Sequence, residues 1–157
     1  IEGNLCAAIG NSCLCDEVVE RMGKTEGLMV GIINILEQGS DWAQGHAGRA
    51  LGNLSYIPEN TKYLIQVDSR NVGVRSIAAI MQSDTGSKKS KLTAVHALAN
   101  LSRSNNICMS FNRVPGIHQT LQKLAADGVQ RDYIDRAVAN LSQARLGTRT
   151  WRQPQKM

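Results

Sequence analysis

Three observations predict an all-α fold, a solenoid of stacked three-helix units. First, a six-residue block recurs along the chain. It reads "ALGNLS" at Ala50–Ser55, "ALANLS" at Ala97–Ser102, "AVANLS" at Ala137–Ser142 and, more weakly, "AIGNSC" at Ala8–Cys13. Second, its asparagines, Asn11, Asn53, Asn100 and Asn140, lie 42, 47 and 40 residues apart, which is the spacing of helical repeat arrays. Third, apolar residues around each block keep helical spacing, and the alternation of a strand appears nowhere at useful length.

The long helix that carries the block is justified by its stripe at i, i+3, i+4 and i+7. Ala47, Ala50, Leu51 and Leu54 fill it once, Ala94, Ala97, Leu98 and Leu101 again, and Ile134, Ala137, Val138 and Leu141 a third time. The first copy gives Leu5, Ala8 and Ile9 and lapses at Ser12. Two shorter helical patterns separate successive copies. They are "DEVVERMG" and "GLMVGIINILEQ", then "PENTKYLIQV" and "VGVRSIAAIMQ", then "SNNICMSFNRV" and "PGIHQTLQKLAA". Gly39-Ser40-Asp41 reads as a stop followed by an N-cap, because the Ser hydroxyl accepts from the orphan N–H groups of the next first turn. Ser87 is expected to cap the next long helix and Asp127 or Gly128 the last. Gly27 and Gly116 precede middle helices, where a tight corner needs a permissive backbone. The longer 47-residue interval predicts an insertion in the loop "SDTGSKKSK", which otherwise reads as a solvated basic loop.

At 157 residues the chain can bury a core, roughly 70% of its unfolded surface, without staples. Aromatic residues are only 4%, so that core must be aliphatic and rich in alanine. No apolar run approaches the ~20 residues that span a bilayer, and Glu2, Asn4 and Asn11 interrupt any leader-like stretch. The start at Ile1 rather than Met predicts a fragment or a processed product. Cys6, Cys13, Cys15 and Cys108 read as free core thiols, which places the chain inside the cell, in cytoplasm or nucleus. Of the net charge of +5, four units belong to Arg145, Arg149, Arg152 and Lys156 in the last fourteen residues. The body is therefore nearly neutral, and the basic balance alone is no argument for nucleic acid.

A three-helix unit of about this length ending in "A-L-x-N-L-S" resembles the armadillo repeat. The resemblance covers nearly the whole chain. It implies one repeat domain over residues 1–143, made of the trailing helix of one unit and then units at 16–56, 57–103 and 104–143. A basic tail over 144–157 follows, expected to be either a disordered end or the start of a truncated next unit. The resemblance further implies a right-handed superhelix whose third helices line a concave groove. Each unit cannot bury its apolar face alone, so the stack is the fold.

Positions i+2, i+6 and i+9 of the third helix point away from the apolar stripe. They hold Arg49, Asn53 and Tyr56 in one unit, His96, Asn100 and Arg103 in the next, and Arg136, Asn140 and Gln143 in the last, with Asn11 leading. In peptide-binding members of the family the asparagine ladder lines the groove. An amide both donates and accepts, so it can pair with the backbone of an extended chain. Family members that take basic localisation peptides carry Trp four residues before the Asn, where this chain has Ala7, Arg49, His96 and Arg136. Cations in those places favour an acidic or phosphorylated segment of another protein, unless Asp132 and Asp135 neutralise Arg136 locally.

Other classes find less support. His46, His96 and His118 fall on different helices, and no Walker loop, G-x-S-x-G or H-E-x-x-H occurs, so no enzyme, small-molecule substrate, metal or cofactor is expected. The tail, with one Trp among its cations, leaves binding of single-stranded RNA as the alternative. A third reading is a structural portion of a longer solenoid. Trp42 is expected to pack between units. Asn53, Asn100 and Asn140 also match the glycosylation sequon, but one repeated helical position explains all three, so no sugar is expected.

Overall fold

The computed structural model describes residues 1–144. Those residues form ten helices and no strand: α1 (Glu2–Ser12), α2 (Asp16–Gly23), α3 (Leu28–Gln38), α4 (Asp41–Leu54), α5 (Pro58–Val67), α6 (Val72–Gln82), α7 (Lys88–Leu101), α8 (Asn105–Asn112), α9 (Ile117–Ala126) and α10 (Arg131–Ala144). The long helices pack in chain order, α1 on α4, α4 on α7 and α7 on α10. The middle helices follow the same order, α3 on α6 and α6 on α9. Ala144, where the sequence predicts the tail to begin, is a buried residue of α10. The remainder of the expected tail lies outside the described residues.

Local chemistry sets the helix boundaries. The Ser40 hydroxyl accepts from Ala43 N at 3.3 Å, and the Ser87 hydroxyl from Ser90 N at 3.1 Å. Pro58 opens α5, where a missing N–H costs nothing. The middle helices α3, α6 and α9 are each entered through a left-handed residue. Gly27 (φ 75°) and Gly116 (φ 74°) serve as predicted, and Asn71 (φ 53°) does the same work for α6. Asn is the non-glycine type that best tolerates this conformation. The expected cap at Asp127 or Gly128 is not found. Gly128 (φ 71°) instead closes α9, with Val129 N donating to Leu124 O at 3.0 Å and Gly128 N to Ala125 O at 3.3 Å. The chain then runs on to Arg131 before α10 begins.

The long interval has two sources. The link between α6 and α7 has five residues against two between α3 and α4, and α5 has ten residues against eight in α2. Three residues of the excess therefore sit in the predicted loop and two in a helix.

The core is aliphatic, with Phe111 buried inside it. The stripes of α4 and α7 are fully buried, and that of α10 is buried except for half-buried Val138. On α1 the predicted stripe departs from the pattern. Leu5 is 57% exposed and Ala8 is exposed, while Gly3, Cys6, Ile9 and Gly10 face inward. Among the described residues α1 packs chiefly against α4, so its buried face is the one toward that helix.

Candidate functional site

Neighbouring long helices bring several of the predicted polar positions together, and each asparagine has different surroundings. Asn11 is exposed, and its Oδ1 accepts from Arg49 Nη2 at 2.8 Å. Asn53 is half-buried and donates from Nδ2 to the Gly10 carbonyl at 3.1 Å. Asn140 is buried and donates from Nδ2 to Ser102 Oγ at 3.1 Å. Asn100 is half-buried, and its amide has no hydrogen-bond partner among the described residues. The four asparagines, equivalent by position in the repeat, are therefore not equivalent in the packing. Asn53 fastens α4 to α1, Asn140 fastens α10 to the end of α7, and Asn140 is buried.

Asn53, Tyr56 and Asn100 share one open cleft of about 320 Å³. Its other wall is the corner between α1 and α2, formed by Cys13, Leu14, Cys15 and Asp16, with Val19 of α2 beneath. Leu14 is 88% exposed at the mouth. The Asn53 Oδ1 and both ends of the Asn100 amide make no hydrogen bond among the described residues. The cleft thus offers two acceptors and a donor within an otherwise mixed lining.

The cations are spent unequally. Arg49 is half-buried and reaches back to Asn11 and, at 3.4 Å, to the Ala7 carbonyl. Arg103, predicted as an exposed groove cation, is only 8% exposed. It leaves the end of α7 in a turn, and its guanidinium lies 4.4 Å from the Tyr56 ring centroid. Burial holds its pKa below the usual guanidinium range, Tyr56 opposes that shift, and the Arg136 charge adds to it. Its long aliphatic stem makes this burial tolerable, and the ring face compensates the head. Arg136 is exposed, 5.1 Å from the Tyr133 ring centroid, and makes no ion pair among the described residues. Asp135 pairs loosely with Arg131 instead, at 3.9 Å between two exposed side chains.

His96 is tied down by residues that periodicity did not single out. Its Nε2 lies 2.6 Å from Gln130 Oε1, and its ring is 3.7 Å from that of Tyr133. His118 bonds Asn112 and His46 meets Trp42 edge-on, so the three histidines share no site. No cluster that would hold a metal ion occurs among the described residues.

The Cys13–Asp16 corner is the part of the cleft that sequence reasoning missed. The cysteines read there as core thiols within a helix. In the fold Cys6 and Cys108 are buried, Cys13 is half-buried, and Cys15 is exposed in the link. Burial raises the pKa of the Cys13 thiol, against the pull of Arg49. The signal available was local: "NSCLCDE" breaks the helical stripe at Ser12 and places an acid-led helix start at Asp16. Trp42 lies over Gly3 of α1, as an inter-unit residue should, but remains 45% exposed.

No helix of the described residues is long and apolar enough to cross a membrane. No protein-family model matches the chain, and no curated protein matches it.

Proposed function

We propose that the chain is an armadillo-like right-handed superhelix that binds an extended, acidic segment of another protein along its long helices. The carrying observation is the cleft in which Asn53, Tyr56 and Asn100 stand together, with the Asn100 amide making no hydrogen bond among the described residues. An extended strand presents N–H and C=O groups in alternation, and these amide atoms match that demand without reading sequence. The preference for acid rests on Arg136, exposed and without an ion pair among the described residues, and on the half-buried Arg49 beside Asn11.

A fluorescein-labelled glutamate-rich peptide, titrated with the protein and followed by anisotropy, tests this. Asn100→Ala is expected to weaken binding about tenfold, the worth of one or two backbone hydrogen bonds, with stability unchanged within about 0.5 kcal/mol. Asn140→Ala is expected to do the reverse. It removes a buried donor to Ser102 Oγ, so it costs about 1 kcal/mol in urea unfolding and leaves affinity alone. Arg136→Glu should weaken the acidic peptide and spare a neutral one. Affinity indifferent to both Asn100→Ala and Arg136→Glu would remove the proposal. Tight, steeply salt-dependent binding of single-stranded RNA with no peptide binding would replace it.

A further inference from the structure

A second cleft, of about 220 Å³, lies among α5, α6 and α8 and shares no residue with the first. Leu51 and Leu101 form its floor, and Leu64, Ile65, Val74 and Ile107 its apolar walls. Asp68 and Asn71 border it, with Asn106 and Ser110 on the α8 side. The one carboxylate is already engaged. Asp68 Oδ1 accepts from Val72 N at 2.6 Å and Oδ2 from Gly73 N at 2.9 Å, so its charge is turned to the start of α6.

The repeat itself explains the hollow. Thr61 of α5 donates to the Ser55 carbonyl at 2.9 Å, and Cys108 of α8 donates to the Ser102 carbonyl at 2.8 Å. Those matching contacts, each within its own unit, align the two units in sequence, with Thr61 equivalent to Cys108. Two residues further on, Tyr63 is therefore equivalent to Ser110. Tyr63 is half-buried and packed against the hydrophobic core. The earlier junction also holds Asn60, buried and bonded to the Val19 and Leu54 carbonyls, where the later one has Ile107. Accordingly α2 packs against α5, whereas α5 and α8 barely meet. One unit thus lacks a phenol ring that its neighbour supplies, and an apolar hollow opens beside the serine.

We propose that this cleft is a binding site for a small uncharged aromatic molecule of about phenol to indole size. An engineered apolar cavity of about 150 Å³ already holds benzene, so the volume suffices. The aliphatic walls supply dispersion and area burial, and Ser110 and Asn106 at the mouth supply polar partners for a hydroxyl or ring N–H. A carboxylate-bearing aromatic is disfavoured by Asp68, and a cation gains little from a carboxylate already accepting two backbone N–H groups.

Phenol and indole, titrated into the millimolar range against protein carrying ¹³C-labelled methyl groups, read the site directly. Saturable shifts are expected at the methyls of Leu64, Ile65, Val74, Leu101 and Ile107, and not at Leu36 or Leu141. Ser110→Tyr restores the ring that the preceding unit carries, so it should abolish those shifts and raise the melting temperature. Asn106→Trp at the exposed mouth gives the same block should Ser110→Tyr fold poorly. Shifts that are absent, that fail to saturate, that spread evenly over the core, or that persist undiminished in the blocked variants would overturn the proposal. Benzoate binding as tightly as phenol would overturn the stated preference for an uncharged ring.

Discussion

His46 sits edge-on to Trp42 with its ring centroid 4.7 Å away, and its Nδ1 is buried with no hydrogen-bond partner among the described residues. Burial lowers its pKa from the ordinary 6.5, and the charges of Arg49 and Lys89 lower it further. The folded protein therefore holds this proton less firmly than the unfolded chain does. Between the lowered value and 6.5 the unfolded chain binds more protons, so stability rises with pH across that window. Below the window the folded state carries the full penalty, and above it none. Thermal unfolding followed from about pH 8 to about pH 5 should show a fall in melting temperature that is smaller in His46→Gln. The comparison between the two proteins matters, because carboxylates contribute their own acid slope to both. Identical slopes would show that this imidazole is not the source. The four asparagines make a related point at this scale. Periodicity assigned them one helical angle, and that much the sequence carries. Depth and partners come from neighbours such as Gly10 and Ser102, which only the packed stack brings near.

Helix against helix, small residues decide how close the long elements come. Gly3 and Gly10 on α1 face α4, and Gly45 and Gly52 at equivalent places on α4 face α7. A Cβ built on Gly52 would stand 2.8 Å from the Ala97 Cα, which is backbone and cannot swing aside. Alanine in a helix interior normally gains about 1 kcal/mol over glycine. Overpacking against a fixed backbone costs roughly 1–3 kcal/mol, so the cost wins. Gly52→Ala is thus expected to destabilise by about 1 kcal/mol in urea unfolding, although it turns "ALGNLS" into the sequence found at Ala97–Ser102. Gly31 provides the contrast. It lies within α3 with open space where a Cβ would go, so Gly31→Ala should stabilise by about 0.5–1 kcal/mol. Equal effects of the two changes would remove close approach as the reason for Gly52. Most elements were legible because their signals are local: a serine hydroxyl capping α4 and α7, a left-handed glycine entering α3 and α9, a stripe at helical spacing. The mistaken cap at Gly128 shows the limit, since one glycine can close a helix or precede one. Which it does depends on Val129 reaching back to Leu124. The cleft was less legible still, because its far wall comes from a corner forty residues away from Asn53 in sequence.

Across the whole molecule, contacts run from each unit to the next, so stability is expected to be distributed rather than uniform. In such an array each helix is held by its own packing and by the interfaces on either side. α4 and α7 each lie between two long helices, and their stripes are wholly buried. α1 has a single long neighbour among the described residues, with Leu5 and Ala8 open to solvent. What holds it is Cys6 and Ile9 against the core, the Asn53 amide on the Gly10 carbonyl, and Arg49 on Ala7 and Asn11. Local opening follows the number of such attachments, and amide exchange reports it. Amides of α1 should therefore exchange at least tenfold faster than those of α4 and α7 in hydrogen-exchange mass spectrometry. Asn53→Ala removes one attachment and should speed α1 selectively, leaving α7 unchanged. Because Asn11 and the Cys13–Asp16 corner ride on that end of the stack, a peptide seated in the cleft should slow α1 in return. Exchange of α1 as slow as that of α4 would mean that the array opens as one cooperative block, with the cleft wall no looser than its floor.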